Sequence, residues 1–517
     1  MNKSFSFKGI TFVLLIFALV LSEGAGAQNV VYSRTRTLEK PHGEDVFIRF
    51  FGNSGDMLVH NYDYSLKANV FTCRKAPTHP ASNKIVIPFE SNQYGEVKYK
   101  VLDMVVVGNM CFYCGRKTCI TGIEESPEGQ PYLVFESKGF VGQISLDHIT
   151  AEQGGKAARR MTEISTTKEI ARIDAWISPT STTDTLLAMV GITLDDKSCL
   201  VIAKDSNTGF KYMRYTSSDD TEEFTDIAFT EGQLLVASRF MNENYLLGFR
   251  EALARHVYKD TVIGLYTLFT FNTESAYDND LAANPTWHTD DVDIRLSPLP
   301  GWNRVNVAYE SFTDNPGAGL LDSYTTVFRM QLNVPYEIES TSDIHVLNLQ
   351  YVQSGVKGPG SFADMLTMDE RHGVALVHHD MYAQPSISIV QFAPWDWWEP
   401  LRSYKSGTDY VLTSLAKNGE DLLWAAGHRP GHQDSVTLFH QNLAYHIGSC
   451  YSMPIYQHDE LPVDKADIST VDLVYENWID AIPTLWNTLY ALPTSIEQRC
   501  LSGNYIIIHS EDETETE

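Results

Sequence analysis

The chain has 517 residues, with 39 Lys and Arg against 66 Asp and Glu, a formal net charge of −27, and 43% hydrophobic and 11% aromatic residues. Aromatic residues at this density can bury enough surface to offset the entropy lost on ordering, so the composition excludes general disorder. The negative charge argues against a nucleic-acid-binding protein, because the binding surface of such a protein is basic.

The first 27 residues have the pattern of a secretory signal peptide. Two lysines precede an apolar stretch from about Ile10 to Leu21, and the segment ends in the small residues Ala25-Gly26-Ala27. That stretch, of about a dozen residues, is too short to span a bilayer comfortably, and no later stretch is apolar enough over sufficient length. We predict cleavage before Gln28, no integral membrane segment, and a secreted, periplasmic or cell-surface location. A short N-terminal anchor is the alternative.

A recurring phrase dominates the rest of the chain: an Asp or another polar residue, an alternating apolar run, a turn, a second apolar run and often a Gly. Copies start at Asp103, Asp174, Asp226, Asp364 and Thr413, with two looser copies near Val46 and near Asn303. Each copy predicts a β-hairpin, in which a pair such as Gly108-Asn109 forms a two-residue turn. A further β-rich run follows each hairpin. Each unit therefore has the three to four strands of one β-propeller blade.

These seven units predict an all-β chain in which residues 28–510 form one β-propeller domain, most simply with seven blades. Six or eight blades are alternatives, and tandem β-sandwiches are the second architecture that short alternating strands can form. Segments that begin at Asn29 and Asn504 are candidates for the strands that join the two chain ends in one blade. The acidic residues 511–517 predict a disordered tail.

Seven cysteines in an exported chain make disulfides feasible. Cys111 and Cys114 fall in a predicted strand, where an odd offset points their side chains to opposite faces and argues against a zinc site with Cys119. We instead expect a local bridge such as Cys114 to Cys119, with other thiols buried. Cys450 and Cys500 could close a loop near the C-terminus, although spacing alone does not determine the connectivity.

The run DMVVVGNMCFYCG from Asp103 and the later run GFVGQISL from Gly139 resemble the blades of uncharacterised secreted β-propeller proteins from Bacteroidales-type bacteria. The resemblance implies a propeller fold and an exported protein, and it brings no catalytic residues. The repeated signatures of sialidase, kelch and WD40 propellers do not occur in this chain.

Motifs for catalysis and for cofactors are missing from the mature sequence. There is no nucleophile elbow, no zinc-protease motif and no Gly-rich phosphate loop. The acidic segment from Asp278 to Asp293, which includes His288, offers oxygen ligands of the kind that Ca²⁺ prefers, but it lacks the ordered spacing of an EF-hand. We interpret it as a solvated loop, and we expect no metal and no cofactor.

Trp395, Asp396, Trp397 and Trp398 are the candidate ligand-binding residues, in a segment bounded by Pro394 and Pro400. Flat indole faces suit stacking on a sugar, and the carboxylate suits hydrogen bonds to hydroxyl groups. In an extended strand, Trp398 would face the opposite way from Trp395 and Trp397. The other interpretation is that these tryptophans pack between blades.

These features favour a secreted, non-enzymatic β-propeller that binds a protein or glycan partner. The alternative is a secreted hydrolase that acts on polysaccharide through paired carboxylates, since a glycosidase needs only two such groups at the correct separation. A structural component of the cell envelope is a third option. We expect no nucleic-acid partner.

Overall fold

The computed structural model describes these parts of the chain: residues 30–34, 46–52, 55–63, 67–74, 82–87, 90–146, 159–177, 185–206, 209–217, 222–230, 233–240, 243–249, 265–272, 288–299, 304–315, 320–332, 344–356, 364–369, 373–379, 385–392, 398–405, 411–419, 422–429, 432–442, 456–458, 470–471, 473–475, 479–481, 484–486, 489–491 and 495–499. They contain strands and turns but no helix. The predicted all-β class is therefore confirmed for the described part. The predicted signal peptide (1–27) and acidic tail (511–517) lie outside the described residues.

The described strands form seven antiparallel sheets, which we number along the chain. The first strand, β1 (Val30–Arg34), belongs to the last of these sheets. Sheet 1 contains β2 (Phe47–Phe51), β3 (Asp56–Asp63), β4 (Ala68–Arg74) and β5 (Ser82–Val86). Sheet 2 contains β6 (Glu90–Asn92), β7 (Gly95–Val107), β8 (Met110–Glu125), β9 (Pro131–Ser145) and β10 (Arg159–Ile164). Sheet 3 contains β11 (Thr167–Ile177), β12 (Thr185–Thr193), β13 (Ser198–Ser206) and β14 (Gly209–Ser217).

The later sheets repeat this four-stranded order. Sheet 4 contains β15 (Glu223–Thr230), β16 (Gln233–Phe240), β17 (Glu243–Phe249) and β18 (Leu265–Asn272). Sheet 5 contains β19 (His288–Leu299), β20 (Arg304–Asn315), β21 (Leu320–Leu332) and β22 (Ile344–Val356). Sheet 6 contains β23 (Asp364–Asp369), β24 (Gly373–His379), β25 (Pro385–Phe392) and β26 (Trp398–Lys405). Sheet 7 contains β27 (Val411–Asn418), β28 (Leu422–Arg429) and β29 (His432–Asn442), with β1 paired to β29.

The hairpins arise where the sequence predicts them. Val107 pairs with Met110 around Gly108-Asn109, and Gly108 has a φ of 58°, which glycine adopts without steric cost. In sheet 5, however, the predicted first strand near Asn303 is the second strand, β20. The first strand is β19, so residues 288–293 of the acidic segment are in a strand and not in a loop, which corrects that part of the prediction.

The C-terminal segment contributes seven short strands: β30 (Tyr456–His458), β31 (Thr470–Val471), β32 (Leu473–Tyr475), β33 (Ile479–Ala481), β34 (Thr484–Trp486), β35 (Leu489–Ala491) and β36 (Ser495–Arg499). Each pairs with the outer strand of one sheet: β30 with sheet 5, β31 with sheet 4, β32 and β33 with sheet 3, β34 with sheet 2, β35 with sheet 1 and β36 with sheet 7. The segment therefore passes sheets 5 to 1 in the reverse of their order along the chain and then reaches sheet 7. The Asn29 segment does pair in sheet 7 as β1, whereas the strand expected from Asn504 lies outside the described residues.

Apolar side chains are buried between successive sheets. One cluster joins sheets 1 and 2, a second joins sheets 2 and 3, a third joins sheets 3 and 4, and a fourth joins sheets 7 and 1. Cys111 lies in the first cluster and Cys114 in the second, so the predicted opposite orientation of these two thiols is confirmed. A strand that buries both faces requires this nearly continuous apolar sequence.

The first strands of the sheets lie side by side, where the first strand of sheet 2 is taken as β7 and not the three-residue β6. Strand β7 contacts β2 and β11, β15 contacts β11 and β19, and β23 contacts β19 and β27, while β27 also contacts β2. Within the described residues, no helix is long and apolar enough to cross a lipid bilayer.

Candidate functional site

Four aspartates on first strands connect neighbouring sheets. Each carboxylate accepts a hydrogen bond from a backbone N–H on the first strand of the following sheet. The pairs are Asp103 with Ile173 (3.0 Å), Asp174 with Phe229 (2.7 Å), Asp226 with Leu296 (2.7 Å) and Asp364 with Leu415 (2.7 Å). We call these contacts, together with their hydroxyl counterparts below, the inter-sheet bonds. Charge-assisted bonds of this kind are stronger than neutral ones.

In three of these aspartates the second carboxylate oxygen is also occupied. It accepts a hydrogen bond from the backbone N–H of the next residue. Met104 donates to Asp103 at 2.8 Å, Ala175 to Asp174 at 2.8 Å and Met365 to Asp364 at 2.9 Å. Both oxygens of each carboxylate are therefore engaged with backbone donors, one within its own strand and one in the neighbouring sheet.

Hydroxyl groups replace the carboxylate where Asp is missing. The Ser297 hydroxyl accepts the N–H of Thr367 at 2.7 Å and connects sheet 5 to sheet 6. From sheet 7, the hydroxyl of Thr413 accepts the N–H of Val46 at 3.0 Å, and that of Ser414 accepts the N–H of Ile48 at 3.3 Å. These bonds extend the same pattern to sheet 1.

Sheet 1 uses a cation in place of an acceptor. The Arg49 guanidinium on β2 donates to the Ser414 hydroxyl at 2.9 Å and lies 3.8 Å from Asp103. It also donates to the carbonyl oxygen of Leu415 at 3.3 Å. Arg49 therefore joins sheet 7 to sheet 2 across sheet 1.

Strand irregularities accompany the inter-sheet bonds. The register shifts between Val101 and Asp103 in β7, between Phe224 and Asp226 in β15, and between Leu412 and Ser414 in β27. A bulge of one residue re-aims the following side chain, which here turns the polar group toward the next sheet.

Glycine is required opposite two of the register shifts. Gly115 faces Val101, and Gly191 faces Ile170, each beside a shift in the first strand. A Cβ atom on Gly115 would collide with the carbonyl oxygen of Lys100, and one on Gly191 would collide with that of Glu169. This close approach explains the glycine that ends the repeated phrase in these two copies.

Burial shifts the acid–base behaviour of these carboxyls. Loss of hydration is the main reason that the pKa of Asp174 is raised from 3.8 to about 7 and that of Asp226 to about 6. The pKa of Asp364 is raised for the same reason. Backbone hydrogen bonds oppose the shift at Asp174, and the charge of Arg295 opposes it at Asp226. The two acids bind a proton far more tightly in the folded chain than they would in the unfolded chain.

These shifts predict that stability falls as the pH rises from about 4 to about 7. In that window the folded chain keeps protons that the unfolded chain releases, and each such group lowers the free energy of unfolding by about 1.4 kcal/mol per pH unit. Urea unfolding at a series of pH values measures this slope. In Asp174→Asn the slope should be shallower, because one of the groups that titrates is gone. An identical slope in both proteins would contradict the assignment.

The structure locates the candidate ligand residues only in part. Trp395, Asp396 and Trp397 lie outside the described residues. Trp398 is the first residue of β26, and its backbone pairs with that of Phe392. The predicted site therefore stays a prediction.

The expected Cys114–Cys119 bridge is wrong, since both thiols are free. They lie five residues apart on the same strand, which separates their Cα atoms by roughly 17 Å, and a disulfide spans less than about 7 Å. Burial raises the pKa of the Cys73 thiol to about 12, so this thiol stays protonated. Cys450 and Cys500 lie outside the described residues. No group of three or more potential metal ligands occurs in the described part of the chain.

The residues of the inter-sheet bonds are visible in the sequence but their role is not. Asp103, Asp174, Asp226, Asp364 and Thr413 each begin a copy of the repeated phrase, so the recurrence marks them. Recurrence does not reveal that the side chain accepts a hydrogen bond from the next copy of the phrase. The donor is a backbone N–H, which almost every residue type has, so the sequence does not identify it.

This chain matches no protein-family model, no curated protein and no solved structure. Its function is therefore inferred from the residues and contacts described above.

Proposed function

We propose that the protein is an exported seven-bladed β-propeller that binds a protein or glycan partner and does not catalyse a reaction. The propeller is supported by seven sheets of the same strand order, by the contacts of each first strand with the next, and by the pairing of β1 with β29. An N-terminal and a C-terminal strand that share one blade close the ring in such folds and leave few sheet edges exposed.

One observation carries the non-enzymatic function: three of the four aspartates that connect the sheets already use both carboxylate oxygens. Both oxygens of Asp103, Asp174 and Asp364 accept backbone hydrogen bonds. A general acid or nucleophile needs an oxygen directed at a substrate. Carboxylates committed to the backbone connect sheets, which is a structural task.

The partner is proposed to bind at Trp395, Asp396, Trp397 and Trp398. A segment with three indole rings and a carboxylate suits a carbohydrate ligand, and aromatic residues are also typical anchors in protein interfaces. Export, with cleavage before Gln28, would place this segment where extracellular or periplasmic ligands are available.

A glycan-array screen of residues 28–517 tests this proposal. The comparison protein carries Trp395→Ala, Trp397→Ala and Trp398→Ala, and its thermal unfolding is measured to establish that it remains folded. We expect at least one class of glycan to bind the first protein, with a loss of at least about tenfold in affinity for the variant, equivalent to about 1.4 kcal/mol. Retained binding in a folded variant would place the ligand elsewhere, and no binding by either protein would leave a protein partner as the remaining class.

The alternative function, hydrolysis of polysaccharide through paired carboxylates, would need two carboxyls other than those of Asp103, Asp174 and Asp364, whose oxygens accept backbone hydrogen bonds. Release of reducing sugar from a polysaccharide panel distinguishes the two functions. We expect none. Sugar release that rises in proportion to the amount of protein would identify an enzyme.

A further inference from the structure

Strands β8 and β9 extend beyond their neighbours in sheet 2 and form a two-stranded projection. The ladder between β7 and β8 ends at Thr118, and the ladder between β10 and β9 ends at Gly139. Residues 119–125 of β8 and residues 131–138 of β9 therefore pair only through the β8–β9 ladder. We call this hairpin end, Cys119–Lys138, the arm.

One face of the arm is apolar and exposed. Leu133 and Phe135 are two residues apart and share a face, and Ile123 lies directly opposite Leu133. The exposed fractions of Ile123, Leu133 and Phe135 are 60%, 46% and 61%. Eight large apolar side chains are exposed among the described residues, and four of them belong to the arm: these three and Tyr132. Apolar side chains concentrated in this way mark an interaction surface.

The opposite face is acidic. Tyr132 lies opposite Glu124 and donates its hydroxyl to that carboxylate at 2.7 Å. Glu136 follows on the same face of β9 and forms an ion pair with Lys138 at 3.0 Å. The arm contains four glutamates, Glu124, Glu125, Glu128 and Glu136, and one basic residue, Lys138, so its net charge is −3. A second copy of this chain would bring like charges together, and the net charge of −27 adds to that repulsion.

The outer edge of β9 provides the third element of recognition. No described strand pairs with residues 131–138 on the side away from β8. An exposed edge is a template for another extended segment, whose backbone completes the ladder while its side chains fall alternately on the two faces. A segment added here would place every second side chain over the apolar face and the others beside the glutamates.

We propose that the arm binds an extended segment of another protein in which apolar and basic residues alternate. Such a segment matches all three features: its backbone pairs with β9, its apolar side chains cover Leu133 and Phe135, and its basic side chains meet Glu124 and Glu136. This inference goes beyond the proposed function, since it concerns a second surface and does not use the Trp395–Trp398 segment.

Binding of defined peptides tests the proposal by fluorescence anisotropy. The probe is a labelled peptide of alternating Leu and Lys, about eight residues long, which is sufficient for one strand. A block peptide of the same composition, with all Leu before all Lys, separates strand periodicity from charge alone. A third peptide of alternating Leu and Glu tests the sign of the charge. We expect the alternating Leu-Lys peptide to bind at least about tenfold more tightly than either control, or about 1.4 kcal/mol.

Variants of the full mature chain locate the site. Leu133→Thr with Phe135→Thr should weaken binding of the alternating Leu-Lys peptide by about tenfold or more, because the apolar contact is lost. The matched control is Ile192→Thr with Leu194→Thr, two side chains that are 38% and 51% exposed in sheet 3, and it should bind as the parent does. Glu124→Lys reverses a charge and removes the acceptor of the Tyr132 hydroxyl, keeps the exposed surface polar, and should also weaken binding. It provides the second test if the double variant fails to fold.

Several results would overturn the proposal. Equal affinity for the block peptide would show that charge alone drives binding. Unchanged affinity in a folded Leu133→Thr, Phe135→Thr variant, and in Glu124→Lys, would place the peptide elsewhere. A dimer in sedimentation that the double variant dissociates would make a second copy the occupant. A failed glycan screen with the tryptophan variant affects none of these results, so the two proposals can fail separately.

Discussion

A chain that ends at residue 455 is expected to unfold at a much lower temperature than the full chain or to aggregate. This truncation removes β30 to β36, which form the outer strands of six of the seven sheets. Each lost backbone hydrogen bond contributes about 0.5–1.5 kcal/mol, so the total loss is comparable with the whole stability of a domain, about 5–15 kcal/mol. The sheet edges left open are also sites for association between chains.

Thermal unfolding and size-exclusion chromatography measure this effect. A chain that ends at Ser510 is the control, since it lacks only the acidic residues 511–517 and should behave as the full chain does. A chain that ends at Tyr475 lacks β33 to β36, which pair with sheets 3, 2, 1 and 7. Its unfolding midpoint should fall between those of the 455-residue chain and the full chain. An unfolding midpoint that is the same for the 455-residue chain and the full chain would mean that these strands do not stabilise the fold.

The second large effect is expected for Gly115→Ala. The new Cβ atom would collide with the carbonyl oxygen of Lys100, a backbone atom that cannot turn aside. Strand β7 would have to move at the bulge that positions Asp103, which would disturb the bond from Asp103 to sheet 3 as well. We expect a loss of more than about 3 kcal/mol, at the upper end of what overpacking causes.

Gly122→Ala is the matched control on the same strand. No atom lies within 4 Å of the Cβ that would be added there, and alanine reduces the freedom of the unfolded chain. We expect the free energy of unfolding to change by less than about 1 kcal/mol, with any change being an increase. Urea unfolding of both variants provides the comparison. Equal losses would show that β7 and β8 do not approach each other as closely as described.

Local pattern was sufficient to predict the hairpins. The alternating apolar residues on either side of Gly108-Asn109 determine the register between β7 and β8, since a shift of one residue would turn the apolar side chains to the opposite face of the sheet. The opposite orientation of Cys111 and Cys114 follows from the same period of two. Both predictions needed only the sequence within one hairpin.

Contacts between distant segments were beyond such local reasoning. Strands β31 and β34 have two and three residues, too few for an alternating pattern to be recognised. Their conformation depends on pairing with β18 and β10, more than 190 residues earlier for β31 and more than 300 earlier for β34. The acidic start of β19 was similarly interpreted as a loop, because its charges obscure the strand pattern that pairing with β20 imposes.

The inter-sheet bonds lie between these two cases. The recurring Asp at the start of each hairpin is a sequence signal, but its acceptor role depends on a neighbouring backbone N–H. Where Ser297 or Thr413 replaces it, the same hydrogen bond persists with a different residue type, so the underlying requirement is an oxygen at that position.

The route of the C-terminal segment determines how the protein would respond to mechanical force. A load applied at the C-terminus would detach β36 from β1 first, then β35 from sheet 1 and β34 from sheet 2, and would continue toward β30 on sheet 5. Because each of these six sheets is held by only a few residues of this segment, rupture would proceed as a series of small, successive steps. The apolar layers between sheets would carry load only after those steps were complete.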